Sequence, residues 1–161
     1  MPDYYLKFDQ IIKRTFFIFF FCLMIPIAIY AQVIITNNTN KQKIYTLIDQ
    51  YLKARENKNE DILRSLLDTD VDQLVSSGVW RIGIEECVNG MMRSSTNNPG
   101  KRSIVVNKIK LLNLETGIAD AKYEIVNTDG SVRRMWSAFI LVLKEDKWLI
   151  AGIRNMRYDG S

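Results

Sequence analysis

The chain has 161 residues, with 22 Lys plus Arg against 18 Asp plus Glu and no histidine. A net charge of +4 with both signs scattered is too weak a field to argue for nucleic acid. The missing imidazole removes the commonest general base, any Ser-His or Cys-His nucleophile pair and every histidine-based metal site.

Lys13 and Arg14 stand before the apolar run from Phe16 to Ile25, Pro26 breaks the run, and Ala28-Ile29-Tyr30-Ala31-Gln32 follows. A basic end, an apolar stretch and a small residue at a cleavage point describe an export signal over residues 1–31, cut after Ala31. The competing reading is an uncleaved anchor, because Val33-Ile34-Ile35 extends the apolar stretch to about the 20 residues that span a bilayer. Either way the protein is expected outside the cytoplasm, periplasmic or secreted, or held to the membrane only through this segment. Phe19-Phe20-Phe21 before Cys22 excludes a lipoprotein site, which needs small residues there. Removing Lys7, Lys13, Arg14, Asp3 and Asp9 with the leader leaves 19 basic against 16 acidic residues, on roughly 130 residues, the size of one domain. Cys87 is then the one cysteine, so no internal disulfide supports the fold.

Residues 32–40 read as a linker, with Asn37 to Asn40 as its polar end and Asn40 or Thr39 as a helix cap. Ile44, Leu47, Ile48, Tyr51 and Leu52 recur at helical spacing and predict an amphipathic helix. Asn57-Lys58-Asn59 breaks it and caps a second helix, whose apolar face is Ile62, Leu63, Leu66 and Leu67 and which ends in an acidic turn, Asp68 to Asp72. Leu74-Val75 and Val79-Trp80 around Ser76-Ser77-Gly78 predict a short strand and a turn. Ile84, Cys87, Val88 and Met91 give a third helix, and Ser94 to Gly100 a loop. Beyond it, Ile104–Leu114, Ile118–Asn127, Ser131–Lys144 and Trp148–Tyr158 predict strands, separated by turns at 115–117, 128–130 and 145–147. Helices first and hairpin-linked strands afterwards argue for α+β: N-terminal helices on one face of a curved antiparallel sheet, a cone-shaped roll.

There is no phosphate-binding glycine loop, and one mature cysteine builds no zinc or iron-sulfur site, so no cofactor and no metal is expected. Asp68, Asp70 and Asp72 imitate half of a calcium loop, but the required Gly and closing Glu are out of place. Cys87 falls on an apolar helical stripe, where a thiol packs as a hydrophobe. Trp80, Tyr123, Trp136 and Trp148 are large aromatics on a small sheet, either core or the wall of an apolar-ligand pocket. Arg133-Arg134 and Arg154 with Arg157 are candidates for a guanidinium at the pocket rim, against a plain solvated face.

Three strings carry a resemblance: Thr69 to Gly78 followed by Gly83-Ile84-Glu85, Gly117-Ile118-Ala119-Asp120-Ala121, and Trp148 to Arg157. In order and spacing they resemble the nuclear transport factor 2-like superfamily, specifically its SnoaL-like branch, over about residues 41–158. The resemblance implies a conical pocket, frequent dimerisation through the open sheet face, and activities from ketosteroid isomerisation and polyketide cyclisation to pure ligand binding. It places Tyr51 where the ketosteroid isomerases have their tyrosine donor. Where they have the proton-shuttling aspartate, three residues before the glycine matched by Gly78, this chain has Val75, and the second acid would fall near Ser137 or Ala138. The histidines of scytalone dehydratase are absent, and the Asp-Arg-Asp set of limonene epoxide hydrolase is not located.

A valine accepts no proton, and a positioned base is worth about 10² to 10⁴ in rate, so the isomerase mechanism does not carry over. The expected function is binding of a small, largely apolar molecule without strong catalysis, with Tyr51, Trp80, Tyr123, Trp136 and Asn155 lining the pocket. Two alternatives stand beside it. One is an isomerase, cyclase or lyase using Tyr51 and Asp70 or Asp72 as base. The other is a homodimeric interaction module whose cone is filled by its own aromatics.

Overall fold

The structure is a computed structural model that describes residue 32 and residues 35–157. The export signal, its cleavage point and Tyr158 lie outside the described residues. The chain divides into two compact units, Met1–Thr39 and Asn40–Ser161. In the first, residues 35–39 are helical, where the sequence reading has a linker. Asn and Thr are weak helix formers but not breakers, and neither Gly nor Pro interrupts this stretch. Among the described residues no helix is long and apolar enough to cross a membrane.

The second unit opens with α1, residues 40–56, whose Ile44, Leu47, Ile48, Tyr51 and Ala54 are buried at the expected helical spacing. Asn59 then caps α2 (Glu60–Ser65) by accepting from the Ile62 N–H at 2.9 Å, with Glu60 and Asp61 on the favourable end of the helix dipole. Leu63 and Leu66 bury themselves, whereas Ile62, expected on the same face, is exposed. A helix of six residues turns too few times to bury a broad stripe.

The acidic turn expected at Asp68 to Asp72 is instead part of a strand, β1 (Leu67–Leu74). The Ile150 N–H donates to Leu66 O at 2.9 Å, and β1 pairs in parallel with β6 (Lys147–Arg157), with a register shift between Leu67 and Asp72. Partners some eighty residues away outweigh the local preference of aspartate for a turn. Gly78, at φ 90°, closes the hairpin to β2 (Trp80–Ile82). The third helix, α3 (Gly83–Asn97), buries Cys87, Val88 and Met91 as expected.

The remaining strands β3 (Gly100–Leu111), β4 (Thr116–Asn127) and β5 (Val132–Lys144) form an antiparallel meander with β6. The six-stranded sheet runs β2-β1-β6-β5-β4-β3, antiparallel except for the β1–β6 pair, and the helices pack on one face of its curve. That is the α+β cone. Between β3 and β4 the turn is held by Asn113 Oδ1, which accepts from the N–H groups of Glu115 and Thr116 at 2.8 and 2.7 Å.

Candidate functional site

Register decides which strand residues face the helices. Phe139 meets the Tyr51 ring of α1 edge-on, with ring centroids 5.5 Å apart, so the Phe139 side of β5 is the inner side. Phe139 pairs with Ile153, Ile153 with Gln73, and Gln73 with Arg81; Ser137 pairs with Asn155, and Met135 with Tyr123. Paired residues share a face, so Gln73, Arg81, Tyr123, Ser137 and Asn155 all stand on the inner side.

The alternate residues stand on the outer side. Asp72, Leu74 and Trp80 are there, beside Gly152 and Arg154. Arg154 holds the Asp72 carboxylate with two hydrogen bonds of 2.8 and 3.0 Å and lies over the Trp80 ring at 4.7 Å. Trp136, opposite Lys122, is on the outer side as well. Trp80 and Trp136, expected on the pocket wall, are therefore not there. The one-residue difference in register that separates Trp136 from Ser137 sends a side chain to the other side of the sheet.

The three aspartates part company. Asp68 is ion-paired with Lys144 at 2.8 Å, Asp70 is exposed, and Asp72 belongs to Arg154. None of them is brought to Tyr51. Nor do the arginines expected at the rim approach it: Arg154 is outside, Arg134 pairs with Glu124 at 2.8 Å, and Arg133 and Arg157 are exposed.

What surrounds Tyr51 is cationic. Its hydroxyl accepts from Arg55 Nη1 at 2.9 Å and donates toward Met91 Sδ at 3.6 Å, and Arg55 Nε donates to Ser95 Oγ at 3.0 Å. Burial pushes the Tyr51 phenol above its ordinary pKa, with Arg55 pulling part of the way back, so this group is a proton donor and not a base. Arg81 donates to Gln73 Oε1 at 2.8 Å. Its pKa is lowered, first by burial and then by the nearby charge of Arg55. Ser137 Oγ donates to Asn155 Oδ1 at 2.7 Å. The Tyr123 hydroxyl is buried and, among the described residues, has no hydrogen-bond partner.

Sequence reasoning missed Arg55 and Arg81. Arg55 follows Tyr51 by four residues and so shares its helical face, a signal that was present. Arg81 has no such signal, since a three-residue strand shows no alternation to read.

Beside the cone, a groove of about 670 Å³ runs along α3, with Arg81, Gly90 and Arg93 among its lining residues. Arg81 is the common wall. A Cβ on Gly90 would lie 2.3 Å from Arg81 Nε, so the missing side chain is what lets the guanidinium rest against the helix.

No protein-family model matches the chain, and no curated protein does either. Solved structures do. A domain of unknown function with a cystatin-like fold from Nostoc punctiforme is 13% identical over 74% of this chain and 78% of its own, at a TM-score of 0.67. A nuclear transport factor 2-like protein of unknown function from Shewanella oneidensis is 13% identical, covering 73% and 98%, at 0.64. The chain has the nuclear transport factor 2-like fold. A ketosteroid isomerase-like protein from Erwinia carotovora atroseptica is also similar, at 13% identity over 72% and 94% and a TM-score of 0.61. These identities carry the fold and no branch of it.

Proposed function

We propose that this protein binds a small molecule at the mouth of its cone and does not catalyse strongly. The observation that carries the reading is the buried Tyr123 hydroxyl, which among the described residues has no partner, set on the inner side of the sheet with Ser137 and Asn155. A buried hydroxyl costs stability unless something accepts or donates to it, so a group kept at that cost suits a ligand. The weak-catalysis half rests on Val75 and on the placement of Asp70, which is exposed, and Asp72, which is paired with Arg154. The largely apolar ligand expected from the aromatics is narrowed by this lining to one with a polar head, because Trp80 and Trp136 face the other way.

The leader adds export to the proposal, to the periplasm or beyond. Homodimerisation through the outer sheet face belongs to it too, with Ile118, Ile140 and Val142 half-buried there. Native mass spectrometry of the protein taken from its own host without organic solvent tests the central reading. A retained small molecule, released on denaturation, is the expected result. An empty protein that also shows no thermal shift across a ligand library would refute it.

A further inference from the structure

Resting on that reading of the cone mouth, we propose that the ligand is a small organic acid whose carboxylate Arg81 holds where groove and cone meet, with Arg55 behind it.

The argument starts from unpaired cations. Arg55 is buried, and both of its acceptors, Tyr51 Oη and Ser95 Oγ, are neutral. A guanidinium carries five N–H donors, so more than half of those on Arg55 remain. Arg81 is likewise bonded only to the neutral Gln73 amide. Among the described residues neither guanidinium forms an ion pair, although Arg64 has two and Arg134 and Arg154 have one each. Arg55 and Arg93 both act on Arg81 as like charges. Bringing several guanidiniums to one place without an acid is unfavourable, and an anion arriving there relieves it.

The acids nearby do not fill that role. Glu85 is bonded to Arg64 through both oxygens, at 2.5 and 3.2 Å. Glu86 accepts from the Ile82 N–H at 2.9 Å, and Glu56 from the Arg102 N–H at 3.1 Å. Glu85 and Glu86 line the groove too, but Glu85 is paired with Arg64 and Glu86 is bonded to a backbone N–H, so among the described residues no acid is paired with Arg81 or Arg93. Planar forks of N–H donors match the two oxygens of a carboxylate. A groove of about 670 Å³ is of the volume that takes such a molecule.

Calorimetric titration of the full chain with benzoate and octanoate, against benzamide, octanamide and inorganic phosphate, tests the assignment. The acids are expected to bind at least tenfold more tightly than their amides, and Arg81→Gln to lose at least tenfold for the acids alone. Gly90→Ala, which displaces the same guanidinium without removing its charge, is expected to weaken the acids as well. Amides that bind as tightly as acids overturn the carboxylate head and leave the binding site standing. Phosphate that binds as tightly as the acids overturns the carboxylate class, and unchanged acid binding in folded Arg81→Gln overturns the role of Arg81. No binding by acids or amides overturns this proposal, and a molecule retained in native mass spectrometry then keeps the wider reading alive.

Discussion

Replacing Tyr123 by Phe is expected to stabilise the ligand-free protein, the reverse of the usual effect of a substitution in a core. Tyr123 is 5% exposed, and among the described residues its buried hydroxyl has no partner. The ring packs with Ile125, Met135 and Ile104, and Phe keeps that ring and all of its apolar contacts. Only the hydroxyl is lost. Protein mutational data put the cost of burying such a group unbonded at about 1–3 kcal/mol, and part of that is relieved by relaxation, so a gain of about 1–2 kcal/mol is expected. For a domain of this size that corresponds to a rise of roughly 3–8 °C in melting temperature. Urea unfolding measures it, with an unchanged slope showing that the midpoint reports stability. If Tyr123→Phe is instead destabilised by 1 kcal/mol or more, the hydroxyl is bonded in solution, and the physical case for a ligand at this position fails.

Asp68 supplies a pH prediction. Burial pushes its carboxyl up, but the Lys144 ammonium and the Thr69 N–H donate to it and hold its pKa below the ordinary value. A lowered folded pKa stabilises above the unfolded value, near 4, and that stability is lost as pH falls through the folded value. Asp68→Asn should therefore be less stable than the natural protein at pH 7, with the gap closing below about pH 4 in a series of urea midpoints; a gap independent of pH refutes the charge argument. The Cys87 thiol is fully buried, donates toward Val71 O and Arg81 O, and is pushed by its burial to about 11. At pH 8 its thiolate fraction is on the order of 100-fold below that of a free cysteine, so labelling located at Cys87 by peptide mass spectrometry should be slower by at least that factor than in urea. Equal rates would show a thiol open to solvent.

Much of the fold is legible in the chain. The Ile44-Leu47-Ile48-Tyr51 stripe, the Asn59 cap and the Cys87-Val88-Met91 face are local patterns that locate the three helices, although α2 stops at Ser65, short of the expected Leu67, and α3 runs on to Asn97 through part of the expected loop. The hairpins follow from short-range signals too: Gly130 at φ 81°, and Glu145 with Asp146 at φ 48° and 60°, occupy conformations that turns require. The strand from Asp68 to Asp72 is different. Its residues locally favour a turn, and only β6 makes them a strand.

The site divides along the same line. Residue types alone determined that this protein has no imidazole chemistry and a run of aromatic strands under three helices; that Val75 stands where the isomerases have their base is what the resemblance implied. Which side chains meet was decided only by tertiary structure. Side-chain direction in a strand has a period of two, so the row Phe139, Ile153, Gln73 and Arg81, paired across β5, β6, β1 and β2, fixes which residues look inward. Those pairings place Trp80 and Trp136 outside and bring Arg81 to the inner face, where Tyr123 stands and toward which α1 presents Tyr51.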